Sequence, residues 1–577
     1  MSDSRSIRDA VEARLAKRHR AERRFQFYGL AAIALAVVFL GLLIGSILVQ
    51  SVPAFTAHRL TLQVELDPAL VDPRGDGGEA SLRRGAYNTV IQNALRAQFP
   101  EVEDRAALRE LFGLYSAVNA ARLLNAVVDD PDLVGTEHAF SFPISDDADL
   151  YLKGRTVDER RTPGAGAVSV VQGPDGLRLE APTAVFEPFA RSVQDTARAR
   201  AEAAEARAAD AAEAARAALD PDRREVLEAE AERARSLAER LRARLEPGQA
   251  LSLGPQVPSL LIEAAGGVFQ VETISADRAS VRARPVIAPD RTDGASPWTA
   301  WVLETPAAAR LITDRQVVWA RALAERGLVE NGFNTLLFTN ADSREPELAG
   351  VLGALIGSIL TMVVTMLLAV PIGVGAAIYL EEFAPKNRLT RVIEVNINNL
   401  AAVPSIVFGL LGLAVFINAF GLPRSAPLVG GMVLALMTLP TVIISSRAAL
   451  QAVPPSIREA ALGVGASKTQ AVFHHVLPLA APGILTGSII GLAQALGETA
   501  PLLMIGMVAF IADPPSLGLS GFTEPATVMP VQIFIWSSSA ERAFEARTAA
   551  AILVLLGLMI LFNAVAIYLR RRFERRW

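Results

Sequence analysis

Glu498 is the one carboxylate in an otherwise uncharged, largely apolar run over residues 479–511. Burying a charge at the centre of a membrane-length helix costs about 2.5–3.5 kcal/mol, and side chains kept at that cost face a pathway or a partner helix. Two uses follow: pairing with an arginine of another subunit for assembly, or accepting a hydrogen bond from something that passes. Neutral polar groups stand nearby in sequence or in similar runs. Gln494 lies one helical turn earlier, Thr499 is adjacent, and Ser405 follows Pro404 in another apolar stretch. Such hydroxyls also have the ordinary use of bonding back to a helix carbonyl.

A second cluster looks at first like a phosphate loop: Gly463-Val464-Gly465-Ala466-Ser467-Lys468-Thr469. That pattern needs glycines six and one residues before the lysine. Here those places hold Leu462 and Ser467, and no strand precedes them. The backbone amides of this segment could not form the phosphate cradle.

Composition removes most other chemistry. The chain has 577 residues, 51% hydrophobic and 20% charged, with a formal net charge of −4 and a mean hydropathy of +0.33. Its length suggests about four units at roughly 150 residues each. The charge balance argues against a dedicated nucleic-acid binder, which would carry a basic face. The absence of cysteine excludes disulfide scaffolds, thiol catalysis, zinc ribbons and iron–sulfur clusters. Five histidines leave little room for a metal site. No metal ligands and no paired acid, base and nucleophile are found, so no catalytic residue is expected.

The elements that hold these residues are membrane spans. About 20 mostly apolar residues cross a bilayer as a helix. Residues 25–51, 348–380, 400–423, 425–446, 479–511 and 548–569 meet that length, giving six spans. The first is too long for a signal sequence and lacks a small-residue cleavage site after it, so it reads as a retained anchor. Arg5, Arg8, Arg14, Lys17, Arg18, Arg20, Arg23 and Arg24 precede it. Arg570, Arg571, Arg572, Arg575 and Arg576 follow the last span. The positive-inside bias then puts both termini in the cytoplasm. Two short loops agree, one with Lys386, Arg388 and Arg391, the other with Arg447, Arg458 and Lys468.

Residues 53–346 must then lie outside the cytoplasm. Arg59 to Leu66 alternates like a half-buried strand, and residues 108–128 read as one amphipathic helix. Residues 167–171, 260–263 and 268–281 are further strands, so the insertion is α+β. Residues 190–219 are almost wholly Ala, Glu, Arg and Asp, broken at Asp220-Pro221-Asp222 and resumed to Leu245 before Pro247-Gly248. That predicts a helical hairpin with arms of roughly 40 Å, either a solvated spacer or a docking arm.

Residues 453–478 connect the fourth and fifth spans. Pro454 and Ser456 open a helix, Glu459 three residues after Ser456 completes a capping-box pattern, and Gly463 and Gly465 end it. A second short helix runs to Pro478. The expected product is a compact bent knob, with His474 and His475 on its surface.

Glu459-Ala460-Ala461, Gly465 four residues later and Leu477-Pro478 resemble the EAA coupling loop of bacterial ABC importer permeases. Ala402-Val403-Pro404-Ser405-Ile406-Val407-Phe408-Gly409 and Gly497-Glu498-Thr499-Ala500-Pro501-Leu502-Leu503 are similar to the PstA family, inner-membrane permeases of the phosphate-specific transporter. The likeness covers residue 348 to the C-terminus. It departs at Gln494, where many relatives have arginine, near Ile444 and Arg447, and at His475, where an aliphatic residue is usual.

The resemblance implies an all-α polytopic membrane protein, a type I-like ABC importer permease of six helices, with an inserted α+β periplasmic domain containing a helical hairpin. The divisions are a basic cytoplasmic N-terminus (1–24), helix one (25–52), periplasmic insertion (53–346, hairpin 190–246), permease core (347–570) and basic tail (571–577). It implies import of inorganic phosphate across a bacterial inner membrane, beside a PstC-like permease, a PstB-like ATPase dimer and a PstS-like periplasmic binding protein. ATP and Mg would sit on the ATPase, none on this chain. Glu459, Ala460, Ala461, Gly465, Leu477 and Pro478 would couple to that ATPase, and Glu498, Thr499, Ser405, Gln494 and Arg447 would line the anion's path. Monohydrogen phosphate can donate its hydroxyl to a carboxylate, whereas sulfate cannot, so a buried acceptor discriminates between them. Alternatives are a permease for phosphonate, sulfate or molybdate, or a membrane receptor with a periplasmic sensor domain.

Overall fold

The structure is a computed structural model that describes residues 3–573 apart from 174–175, 244–248, 293 and 509. The Pro247-Gly248 helix stop and Arg575 and Arg576 of the tail therefore lie outside the described residues. The chain divides into two compact units, Ala57–Gly332 and the remainder, Met1–Thr56 with Phe333–Trp577.

In the second of these, five helices among the described residues are long and apolar enough to cross a membrane: Ala21–Phe55, Leu352–Phe383, Pro427–Gln451, Lys468–Gly497 and Ala543–Arg572. A sixth span exists if Arg388–Ala401 and Ser405–Ala419, bent by 104°, count as one. The bend overturns the straight third span expected over 400–423. Pro404 lacks an N–H and disfavours helical backbone at the residue before it, so Arg388–Ala401 ends there and a new helix starts at Ser405.

The fifth span departs more. Its helix ends at Gly497, Glu498 is extended (φ −80°, ψ 129°), and a short helix Ala500–Met504 follows. Gly506, at φ +91°, then turns the chain. Glu498 thus stands at a helix break and not inside a continuous helix over 479–511. At the other end the helix does not stop at Pro478. Lys468–Ala471 passes through a π-turn at Val472–Val476 directly into Leu477–Gly497. The wider turn accommodates a proline that can neither donate to nor fit beneath a regular α-helical carbonyl.

Small residues let these helices approach. A Cβ on Gly483 would lie 2.6 Å from the Ala449 Cβ, and one on Gly487 would lie 1.9 Å from the Ser445 Oγ. The glycines of Lys468–Gly497 therefore pack on Pro427–Gln451 of the same chain.

The other unit contains a three-stranded sheet, Val329–Phe333, Thr56–Glu65 and Glu137–Pro143 in that order, with Arg59 opposite Pro143 and Leu62 opposite Phe140. Leu60, Leu62 and Val64 are buried and their neighbours are not, as the alternation requires. A nine-stranded sheet holds most of the rest. Residues 268–281 belong to two of its strands, Gly267–Ile274 and Ser280–Ile287, turned at Arg278 (φ 59°). The single helix expected over 108–128 is two, Arg105–Phe112 and Asn119–Asp129. Between them Leu114 and Tyr115 are buried, and Tyr115 bridges to Ile144.

The helical hairpin is Glu187–Ala217 and Pro221–Arg242, with the Asp220 side chain accepting from the Asp222 N–H. Its seam is alanine: Ala201, Ala204, Ala208, Ala211 and Ala215 on one arm, Ala231 and Ala238 on the other. Phe186, Val193, Ala197 and Leu241 root its base in the core of the nine-stranded sheet.

One buried cluster in this unit gives a pH dependence. Burial works against charge on Asp149, but hydrogen bonds from the His58 ring and backbone, at 2.9 Å each, and the nearby Lys153 ammonium outweigh it. They hold its carboxyl below the ordinary 3.8. A depressed carboxylate stabilises the fold above its unfolded value, and that stability is lost as pH falls through the folded value. The thermal midpoint should therefore fall below about pH 4, where the unfolded carboxylate gains its proton first. Asp149→Asn should cost about 1–3 kcal/mol at pH 7 and remove this part of the acid sensitivity. Melting curves between pH 3 and 7 check it, and identical acid slopes in both proteins would refute the assignment.

Candidate functional site

The element between helices Pro427–Gln451 and Lys468–Gly497 is built around two helix signals. Pro454 and Pro455 open the short helix Pro455–Gly463. No side chain caps it, so the Ser456–Glu459 capping box expected from spacing is absent: Pro454 occupies the cap position. At the other end Ala466 N–H donates to Ala461 O (3.1 Å) and Gly465 N–H to Leu462 O (3.0 Å). That pair of bonds is a Schellman motif, and it needs a left-handed residue just past the helix. Gly465 supplies it at φ +93°. The next helix has the capping box that the first one lacks, with Ser467 Oγ accepting from Gln470 N–H and Gln470 Oε1 from Ser467 N–H.

The bend sorts the motif residues. Ala461 is buried against the bundle, whereas Glu459 and Ala460 face outward. Beside them Leu462 and Val464 are 49% and 87% exposed. The end of this helix thus leaves an acidic residue and two bare aliphatics exposed, and sequence spacing alone did not mark the aliphatic pair. Leu477 and Pro478 are half-buried past the π-turn, and His474 and His475 are exposed on it.

Behind that helix lies a polar clamp that the sequence reading missed. Arg458 Nε and Nη2 grip the Glu382 carboxylate at 3.0 and 2.6 Å. The same guanidinium donates to Val453 O and Leu450 O, each at 2.7 Å. Arg447, expected in an anion path, pairs with Glu394 at 2.8 Å and Glu381 at 3.6 Å.

The remaining intramembrane candidates gather elsewhere. A Cβ on Gly409 would lie 2.7 Å from both the Pro501 Cα and its carbonyl oxygen. The helix begun by Ser405 therefore packs directly on the segment that follows Glu498. Ser405, Glu498 and Thr499 are half-buried, Gln494 is exposed, and Glu498 has no ion-pair partner among the described residues. Arg447 is not with them. Gly483 faces Ala449 and Gly491 faces Val442, so at 1.5 Å per residue Arg447 sits roughly 20 Å along the bundle from Glu498.

Residues 369–577 match the family described as the binding-protein-dependent transport system inner membrane component, and residues 12–162 match a domain of unknown function, DUF3333. The phosphate transport system permease protein PstA 1 of Mycobacterium tuberculosis is 33% identical over 227 residues, 39% of this chain and 72% of that one. PstA of Haemophilus influenzae is 32% identical, over 35% of this chain and 69% of that one. The chain belongs to the PstA family of phosphate transport system permeases. The phosphate transport system permease protein PstC of Haemophilus influenzae is also similar, at 35% identity over 24% of this chain and 51% of its own length. A solved inward-facing MetNI methionine ABC transporter aligns with 38% of this chain and 94% of its own at 17% identity and a TM-score of 0.30. This PstA-family chain is a multi-pass membrane transport subunit, and much of its sheet-containing unit lies outside both matched regions.

Proposed function

We propose that this chain is the transmembrane permease of an ATP-driven importer that carries inorganic phosphate across a bacterial inner membrane. The observation that carries the reading is the Gly465 bend, which ends a short helix between two bundle helices and leaves Glu459, Ala460, Leu462 and Val464 all exposed. A PstB-like ATPase dimer, holding ATP and Mg, receives that helix. A PstC-like permease completes the pore, and a PstS-like binding protein delivers phosphate. Both termini are cytoplasmic by the basic-residue bias, which places Ala57–Gly332 in the periplasm. Closure of the ATPase moves the bent element, and the bundle alternates its access.

In this reading the break at Glu498 serves selectivity. An unpaired carboxylate freed from helix geometry accepts the hydroxyl proton of monohydrogen phosphate, while attraction for the anion comes from donors on the partner permease. Glu498→Leu, which removes the acceptor that glutamine would keep as an amide oxygen, should lower phosphate uptake roughly 10- to 100-fold, the loss expected when a polar contact goes unmet. Assembly should be intact. Uptake equal to wild type in that variant removes Glu498 from the path.

The reading as a whole is tested by isolating the complex from membranes. An ATPase subunit should accompany the chain, and deleting Glu459 through Gly465 should release it and abolish phosphate accumulation. Accumulation that survives the deletion rejects the proposed coupling.

A further inference from the structure

The exposed face of Pro455–Gly463 explains how a partner could grip the element, but not how a push on it reaches the bundle. Covalently, the helix hangs between two weak joints. One is the non-helical turn at Ala452–Pro454, the other the left-handed turn at Gly465. Buried Ala461 and half-buried Ile457 rest on apolar neighbours, and such contacts slide without fixing direction.

Arg458 is different. It is the residue immediately before Glu459, yet it points inward while Glu459 points out. Its guanidinium meets both oxygens of Glu382, at 3.0 and 3.2 Å from Nε. The Glu382 side chain is only 8% exposed. Glu382 lies in the π-turn Tyr379–Phe383 that ends helix Leu352–Phe383. The two carbonyls that Arg458 also binds, Leu450 and Val453, belong to the last turn of Pro427–Gln451 and the linker after it, where helix carbonyls lack intrahelical partners. One side chain therefore ties the short helix to the ends of two spans. A bidentate fork holds orientation as well as distance. Around it, Gln451 donates to Glu381 at 2.8 Å, Arg447 bridges Glu381 and Glu394, and the Lys468 ammonium lies 5.3 Å over the Phe383 ring.

We propose that Arg458 and Glu382 are the positioning pair that transmits motion of the coupling helix into helices Leu352–Phe383 and Pro427–Gln451, so that breaking the pair separates ATP hydrolysis from phosphate movement. The inference rests on the function proposed above, in which an ATPase docks on this element.

The test measures phosphate moved per ATP hydrolysed by the whole reconstituted complex. Arg458→Ala and Glu382→Ala should each lower that ratio roughly tenfold, a size typical of coupling between sites, while hydrolysis and subunit co-purification continue. Because the chain has no cysteine, a Glu382→Cys, Arg458→Cys double variant can be joined by a short reducible bis-thiol reagent. Cross-linking should restore most of the ratio, and reduction should abolish it again, which a merely structural role would not produce. An unchanged ratio in both single variants overturns the proposal, as does a cross-link that restores nothing. Should Arg458→Ala fail to assemble, Glu382→Ala decides, since Glu382 lies outside the short helix. Failure of both to assemble overturns transmission in favour of folding. A wild-type complex that moves no phosphate on ATP hydrolysis defeats the function reading instead, and is distinguished by that control alone.

Discussion

Valine in place of Gly357 is expected to unfold the permease bundle near working temperature. A Cβ there would lie 2.0 Å from the Thr527 carbonyl oxygen and 3.3 Å from the Ala526 Cβ. The opposing atom is backbone, and it cannot retreat. Ala526 N–H is bonded to Ser425 O at 2.9 Å, and Met529 N–H to the Ser358 hydroxyl at 2.8 Å, so the segment is pinned on both sides. Overpacking of a rigid core costs about 3 kcal/mol, a large part of the stability of any domain. Thermal unfolding of the solubilised complex measures it. Gly375→Ala, where nothing lies within 4 Å, is the control and should melt with wild type. A Gly357→Val complex that melts with the control contradicts this packing.

The second large effect is local. At Gly465 a Cβ would also meet nothing within 4 Å, so any consequence of substitution comes from its φ of +93°. A β-branched residue is held out of that region by its own backbone, at a cost of about 1–2 kcal/mol or more. Escaping it breaks the bonds from Ala466 to Ala461 and from Gly465 to Leu462. The short helix carrying Glu459 then loses its fixed direction. Gly465→Val should leave the melting temperature of the bundle unchanged and reduce ATP-driven phosphate uptake roughly 10- to 100-fold. Asparagine tolerates left-handed backbone better, so Gly465→Asn should fall between. Uptake in the order Gly, Asn, Val supports a conformational requirement, and equal uptake in all three rejects it.

What could be read from the sequence divides along physical lines. Membrane-length helices are legible because the bilayer sets their length and the apolar runs advertise it. Their interruptions are not. Ala402–Pro404 and Glu498–Ala500 differ from continuing helix by one or two residues, and only the fold decides whether the chain bends there or stays helical. Residues 108–128 mislead in the same way: Leu114 and Tyr115 continue the apolar period while leaving the helix to enter the core. Strand Trp298–Leu303 is buried at five of its six positions, so it carries no alternation to detect. The bend of the element at Gly465 is legible, since glycine is the residue a left-handed turn demands. The Arg458–Glu382 clamp is not, because the two lie 76 positions apart and neither spacing nor composition joins them.

The central claim is that an ATPase acting on this bent element drives phosphate through the bundle. Accumulation of radiolabelled phosphate in proteoliposomes that hold the purified complex tests it most directly, with ATP and the binding protein supplied on their proper sides. The account predicts accumulation that requires ATP, disappears without the segment from Glu459 to Gly465, and resists competition by equimolar sulfate. Accumulation independent of ATP or of that segment would contradict it.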